Sequence, residues 1–203
     1  STNLDAFVYR LDPALPCGTA IWFRVIASGG GPAQTHLIRH EIGRPLAQPP
    51  TTNDFGVWTP SPIPDDATVY SELHIDEPNG PVVADVDVYL RIAHSFDWDL
   101  TLALQHPDGT EVLLVKQRGG GSDGFGTGEC GSATYTVLDQ GAAASIASGS
   151  APFAGTWRPE ATLDAFNGKP LNGTWRLRMT DAYPIDSGTN LCWGIRVVRE
   201  NRS

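Results

Sequence analysis

The chain has 203 residues, enough for one sizeable hydrophobic core with a smaller unit beside it but too few for a large multidomain enzyme. Its 14 Lys and Arg are outnumbered by 23 Asp and Glu, and the net charge of −9 argues against a nucleic-acid partner, which requires clustered basic residues. No apolar run approaches the roughly 20 residues of a membrane span.

The first 45 residues predict a small β segment. Three strand-like runs, Phe7 to Leu11, Ala20 to Ala27 and His36 to Ile42, are separated by turns rich in Gly and Pro. Three strands rarely form a stable sandwich alone, so this segment is expected to pack on the rest of the chain or to be completed by other residues or chains. The chain begins at Ser1 without a methionine, which is typical of a processed polypeptide.

Residues 46–61 (LAQPPTTNDFGVWTPS) have the Pro, Thr, Asn and Gly content of a linker and no sustained period. From residue 62 to residue 199, short alternating strands are separated by Gly, Asp, Asn and Pro turns, and no stretch carries a helical apolar stripe. The sequence therefore predicts an all-β fold for this longer part. Between its strands, Gly119 to Gly131 is interpreted as a flexible Gly-rich loop.

One strand pair is especially clear. Val86, Val88, Leu90 and Ile92 alternate with polar and aromatic residues, the pattern of a half-buried strand, and a second alternating run starts at Leu100. Two later strands show the same alternation, with inward positions expected at Trp175, Leu177, Met179, Trp193, Ile195 and Val197.

The three cysteines, Cys17, Cys130 and Cys192, lack the paired spacing of a zinc site. One disulfide and one odd cysteine fit better, and we favour Cys130 with Cys192 because both lie in the longer part. This implies an oxidising, extracellular setting. The alternative is a cytosolic protein with three buried thiols.

The longer part resembles the P domain, or P/Homo B domain, of proprotein convertases and of bacterial secreted subtilisin-like proteases. The resemblance is carried, in order, by PIPD from Pro62, DVDVYLRIAH, DWDL, HPDGTEVLL, YTVLDQ, APFAGTWRPEATLDAFNGKPLNGTWRLRMTD, Asp186-Ser187-Gly188 and LCWGIRV. It implies a jelly-roll β-sandwich over residues 62–199 that is not catalytic, packs on a protease domain and supports that domain's folding and stability. It also implies calcium, which several bacterial members bind.

The N-terminal part is similar to the last strands of bacterial immunoglobulin-like repeats, through LDPALPCGTAIWFRVIASGGG and THLIRHEIG. This resemblance implies that residues 1–45 are a partial immunoglobulin-like segment and that the chain begins inside a larger secreted polypeptide. The missing strands would then lie upstream or come from a partner by strand addition.

Calcium requires six to eight oxygen ligands, mainly carboxylates and carbonyls from loops. Clustered loop acids suit that need, and turns distant in sequence can meet at one end of a jelly roll. The alternative for each acid is a turn cap or a solvated side chain. The candidate ligands are Asp65, Asp66, Asp97, Asp99, Asp181 and Asp186. For the adjacent His94, a buried and hydrogen-bonded structural role is favoured over catalysis.

The leading hypothesis is a secreted or cell-surface, calcium-stabilised, non-catalytic module whose partner is a neighbouring domain of the same polypeptide, a protease catalytic domain. The alternative is a structural or adhesive protein whose incomplete N-terminal sheet pairs with identical subunits. A stand-alone hydrolase is disfavoured, because no catalytic constellation stands out in the sequence and no sugar groove accompanies the Asp97 and Asp99 pair.

Overall fold

The computed structural model describes residues 19–27, 34–41, 50–121 and 124–200. In these ranges the regular structure is β, apart from three single-turn 3-10 helices at Asp97–Asp99, Ile146–Ser148 and Leu163–Phe166. None of the described helical segments has the length and apolar character needed to cross a membrane. The chain divides into two compact units, residues 1–48 and 49–202, which are described separately.

The described part of the first unit is an antiparallel hairpin. Strand β1 (Ala20–Ala27) pairs with β2 (Gln34–Glu41), with Ala20 opposite Glu41. Both strands match runs predicted from the sequence, whereas Cys17 and the run from Phe7 to Leu11 lie outside the described residues. Several large apolar side chains of the hairpin are exposed: Trp22, Val25, Ile26, Leu37 and Ile38.

The second unit is an all-β sandwich, as the sequence predicts. Its strands are β3 (Thr51–Val57), β4 (Ser61–Ile63), β5 (Ala67–Ile75), β6 (Val82–His94), β7 (Leu100–Gln105), β8 (Glu111–Lys116), β9 (Thr136–Leu138), β10 (Gly155–Trp157), β11 (Gly173–Asp181) and β12 (Gly188–Glu200). The larger sheet has the order β10-β9-β6-β12-β3, with β4 also paired to β12, and the smaller sheet has the order β5-β11-β7-β8. The chain crosses repeatedly between the sheets, which is typical of a jelly roll.

The core lies between the inner faces of the two sheets. All of the inward positions predicted on β6, β11 and β12 are buried, while the intervening Asp87, Tyr89 and Arg91 lie on the outer face of the larger sheet. The indole of Trp193 on β12 donates a 2.7 Å hydrogen bond to the Ser71 hydroxyl on β5. This bond satisfies a buried polar group where the two sheets face each other.

Within the predicted linker, residues 46–61, the structure places residues 51–57 and residue 61 in strands. Residues Thr51–Val57 form β3, which pairs antiparallel with β12 from Trp193 to Arg199. Phe55 and Val57 pack against the core, and this burial, made with a strand far along the chain, overrides the weak local β propensity of Thr, Asn and Gly. The second unit thus begins near Pro49 rather than at residue 62.

The described parts of the loop from Gly119 to Gly131, residues 119–121 and 124–131, are more closely held than the composition indicates. Phe125 is buried, and its backbone exchanges two hydrogen bonds with Ile92 of β6, 2.8 and 3.0 Å long. Gly124 has φ +83°, and a Cβ there would lie 2.1 Å from the Ile92 carbonyl oxygen. Only glycine permits this close approach of the two backbones.

Strand β12 contains a β-bulge. Asn190 lies opposite Ile92 and Cys192 lies opposite Arg91, so Leu191 is one extra residue on β12. The bulge shifts the alternation of inward and outward side chains along β12 by one residue. As a result Asn190 and Trp193, three positions apart, both point inward. It also places Cys192 beside the outward-facing Arg91, where it forms a disulfide with Cys130, the pairing favoured from the sequence.

Candidate functional site

Four of the six predicted calcium ligands meet at one end of the sandwich. The strand register places Gly188 opposite His94 and Asp181 opposite both Leu100 and Ala67, so the ends of β6 and β11 lie beside the starts of β5, β7 and β12. We call the residues gathered there the acidic end: Asp65, Asp99, Asp181, Asp186 and His94.

The surroundings of Asp99 oppose the ionisation of its carboxyl. Asp99 is 4% exposed, and burial raises the pKa of its carboxyl, with further increases from the negative charges of Asp181, Asp186 and Asp65. Removing solvent and adding like charges both disfavour the charged carboxylate. The acidic end is therefore a place where a positive charge would stabilise the fold.

A buried hydrogen bond anchors the acidic end. The Nε2 atom of His94 lies 3.1 Å from Oδ2 of Asp181, and both side chains have no exposed surface. The Nδ1 atom of His94 accepts from the Phe96 amide at 3.1 Å, so Nε2 carries the proton that is donated to Asp181. His94 thus has the structural role that the sequence analysis favours.

The other carboxylates of the acidic end hold loops. Asp186 accepts a 2.7 Å hydrogen bond from the Ser95 hydroxyl, and Asp65 accepts one of 3.2 Å from the amide of Ile185. Asp181 also accepts from the Tyr183 amide at 3.2 Å. These bonds join the β4–β5 turn, the segment after β6 and the β11–β12 loop.

The two remaining predicted ligands lie in different surroundings. Asp97 is wholly buried, and its Oδ1 accepts a 2.8 Å hydrogen bond from the Gly124 amide, so it holds the Gly-rich loop. Asp66 is exposed and adopts φ +47° in the β4–β5 turn. Asp97 and Asp99 share one 3-10 turn, but the Asp97 carboxylate bonds the Gly-rich loop, whereas the electrostatic neighbours of Asp99 are the acids of the acidic end.

The donor atoms of the acidic end do not form a preassembled metal site. Within residues 19–27, 34–41, 50–121 and 124–200, no group of three or more His, Cys, Asp or Glu side chains is arranged to hold a metal ion. Both oxygens of Asp181 already accept hydrogen bonds, and Asp65 and Asp186 each use one. The carboxylates are electrostatic neighbours rather than a converged set of calcium ligands.

An exposed apolar patch surrounds the acidic end. We define it by Phe96, Trp98, Tyr183 and Ile185, whose exposed fractions run from 38% to 89%. Ile185 is 89% exposed and has φ +99°, a backbone region that a β-branched residue rarely enters. Exposed apolar patches and strained loop residues of this kind are typical of surfaces that contact another molecule.

A second polar cluster, on the outer face of the larger sheet, was missed by sequence reasoning. It brings together Trp58, Tyr89, Tyr135 and Asp87, which line one cleft. The alternation of β6 places Asp87 and Tyr89 on a common outward face, and that was the one signal in the sequence. Trp58 fell within the predicted linker, so its position beside them could not be anticipated.

The second unit is thus a disulfide-linked, all-β sandwich with an acidic end. The family described as the proprotein convertase P-domain matches residues 83–197. The match covers more than half of the chain, which therefore belongs to the proprotein convertase P-domain family.

Solved structures of a serine protease from Aeromonas sobria are similar to the chain. The protease in complex with the chaperone aligns at 18% identity with a TM-score of 0.49, covering 79% of this chain and 28% of that chain. The protease alone aligns at 19% identity with a TM-score of 0.45, covering 77% and 28%. The chain thus spans little more than a quarter of those proteases. None of the curated proteins matches it.

Proposed function

We propose that this chain is a non-catalytic module of a secreted serine protease, that it packs against the catalytic domain of the same polypeptide, and that it stabilises the fold of that domain. Membership of the P-domain family supports this assignment. The observation that carries it is the exposed apolar patch of Phe96, Trp98, Tyr183 and Ile185, since a patch of this kind is stabilised when another protein surface covers it.

The parent polypeptide provides the first test. An antibody against this chain, applied to culture supernatant of the source organism, is expected to capture a longer polypeptide whose mass-spectrometric peptides include a subtilisin-like catalytic domain. A captured polypeptide without protease sequence would overturn the proposal. Assemblies of the bare 203-residue chain on size-exclusion chromatography with light scattering would instead favour a structural protein that pairs through the β1–β2 hairpin.

The packing surface is tested in that same polypeptide. Trp98→Ala combined with Ile185→Ser removes the two most distinctive apolar side chains of the patch, so the half-life of peptidase activity at elevated temperature is expected to fall severalfold. Tyr70→Ala is the matched control, because Tyr70 is an equally exposed aromatic residue on β5. Equal half-lives for the two variants would exclude the patch as the packing surface.

Calcium stabilisation is the second part of the proposal. It is supported by the acids gathered around Asp99, where burial and then like-charge repulsion raise the pKa of that carboxyl and a divalent cation would offset the repulsion. Because the carboxylates do not converge, an ion would have to draw further oxygens from backbone carbonyls or water, as calcium commonly does.

Chelation tests this part directly. A cation at about 100 times its dissociation constant contributes about 2.7 kcal/mol, so transfer from millimolar calcium to a chelator is expected to lower the Tm by about 5 to 10 °C. Asp186→Asn should reduce this difference. Asp76→Asn, an exposed acid outside the acidic end, should leave it unchanged. An identical Tm with and without calcium would remove calcium from the proposal.

A further inference from the structure

An aromatic cleft of about 250 Å³ opens on the outer face of the larger sheet. Its aromatic members are Trp58, Tyr89 and Tyr135. The ring centroids of Trp58 and Tyr89 are 6.4 Å apart with an interplanar angle of 35°, and those of Tyr89 and Tyr135 are 5.4 Å apart with an angle of 59°. Trp58 is 53% exposed, so one side of the cleft is open to solvent.

Two glycines let Tyr89 form the floor of this aromatic cleft. A Cβ at Gly194 of β12 would lie 2.3 Å from the Tyr89 hydroxyl oxygen, and a Cβ at Gly56 of β3 would lie 2.6 Å from it. The ring therefore lies across β12 toward β3, and its hydroxyl donates a 3.0 Å hydrogen bond to the Phe55 carbonyl oxygen. The side chain is held in this position by the sheet beneath it.

Acidic side chains line the same cleft. Asp54 on β3, Arg196 on β12 and Asp87 on β6 lie side by side in the strand register. Arg196 binds both oxygens of Asp54, with nitrogen–oxygen distances of 2.8 and 3.1 Å. The Oδ1 atom of Asp87 is buried and has no hydrogen-bond partner within the described ranges, so this cleft holds an acceptor that lacks a donor.

The charge around Asp87 favours a cation. Burial, together with the carboxylates of Asp139, Asp85 and Asp54, raises the pKa of Asp87 to about 6, and only Arg196 acts in the opposite direction. Asp54 and Asp87 line the cleft together with Arg196, and the nearby carboxylates of Asp85 and Asp139 add to the negative charge around Asp87. A cation placed beside Asp87 would gain from this field and would supply the missing donor.

We propose that the aromatic cleft is a binding site for a basic side chain, lysine or arginine, presented by another polypeptide segment, with Trp58, Tyr89 and Tyr135 enclosing the charged group and Asp87 accepting its hydrogen bond. Aromatic faces attract alkylammonium and guanidinium groups through their quadrupoles. Arg196 already presents a guanidinium in this cleft, to Asp54. Asp87 would then bind a second cation, the basic side chain of the other polypeptide segment.

One wall of the aromatic cleft is fixed by the disulfide. The Gly131 amide donates a 2.9 Å hydrogen bond to the Tyr135 hydroxyl, and the adjacent Cys130 is bonded to Cys192 of β12. The segment that carries Gly131 and Tyr135 is thereby attached to the strand that also carries Gly194 and Arg196. Three strands, β3, β6 and β12, and one disulfide therefore hold the residues of the cleft in place.

The site is tested with capped amino acids and the complete chain. N-acetyl-arginine amide and N-acetyl-lysine amide are titrated into 15N-labelled protein while the indole signal of Trp58, assigned with a Trp58→Phe variant, is followed by NMR. Both are expected to give saturable shifts, whereas the neutral N-acetyl-glutamine amide should give none. Binding of the neutral amide with equal affinity, or no saturable shift with either cation, would overturn the proposal.

Variants separate the aromatic and acidic contributions. Trp58→Ala is expected to weaken the affinity about fivefold through lost cation–π attraction, and Asp87→Asn about tenfold through the lost charged acceptor. The controls are Trp98→Ala, an exposed tryptophan elsewhere, and Asp76→Asn, an exposed acid that does not line the cleft. If the controls weaken binding as much as the cleft variants, the basic compounds are responding to overall charge and the assignment fails.

The pH dependence gives a separate readout. Because the pKa of Asp87 is raised to about 6, affinity for the basic side chain is expected to fall as pH decreases from 7.5 to 5 and Asp87 becomes protonated. Arg196, Asp54, Asp85 and Asp139 also face this carboxyl, so their charges set the midpoint. Asp87→Asn should abolish the pH dependence. A dependence that persists in that variant would assign the titration to another group.

Discussion

Replacing both Cys130 and Cys192 by alanine is expected to lower the free energy of unfolding of the sandwich by about 4 kcal/mol. The two residues are 62 positions apart, and in the chain-entropy treatment of crosslinks a closed loop of that length gives a value of this size. Unfolding is followed by tryptophan fluorescence in urea, with and without a reducing agent.

The disulfide experiment has internal controls. A reducing agent should destabilise the unaltered chain by a similar amount and should not affect the double alanine variant. Cys17→Ala should leave the response of the chain to reduction unchanged, because Cys17 is outside the pair. A loss below about 1 kcal/mol in the double variant would mean that the Gly-rich loop is held by Phe125 and its bonds to Ile92 rather than by the crosslink.

Changing His94 to alanine is expected to cost about 3 to 5 kcal/mol, the range for removing one member of a buried, hydrogen-bonded pair that includes a charge. The Asp181 carboxylate would lose a donor while it remains without solvent contact and close to Asp99. The measurement is the urea midpoint together with its slope, which shows whether unfolding remains one cooperative step.

Two comparisons test the reason for that loss. His74→Ala is the matched control, because His74 is exposed and its ring bonds the Thr174 hydroxyl at 3.3 Å, so its change should stay within about 0.5 kcal/mol. The double variant His94→Ala with Asp181→Asn should lose less stability than the sum of the two single variants, because it no longer contains a buried Asp181 carboxylate without its donor. Full additivity would contradict the pairing.

The sequence predicted those parts of the fold that depend on local alternation. The inward and outward faces of β6 follow from a period of two, which reports burial directly. The meeting of Asp99, Asp181 and Asp186 also followed, since the family resemblance supplied the jelly roll that brings distant turns together. Whether their oxygens converge on an ion depends on side-chain bonds such as Ser95 to Asp186, which no sequence pattern specifies.

The features that the sequence does not predict, β3 and the aromatic cleft, depend on contacts between residues that are far apart in the chain. The local sequence of β3 predicts a linker, because the strand that pairs with it, β12, lies some 140 residues later in the chain. The aromatic cleft depends on Gly56 and Gly194, which come from those same two strands and matter only once Tyr89 lies over both. A pattern read within a short window cannot reveal a contact of this kind.

The bulge at Leu191 also affects how this chain should be aligned with other P domains. Leu191 is supernumerary: Asn190 and Cys192 are already opposite adjacent residues of β6, so a relative that lacks the residue would keep the same register and the same inward set. A one-residue gap at this point of an alignment is therefore compatible with an unchanged fold. A gap elsewhere in β12 would move Trp193, Arg196 or their neighbours to the wrong face.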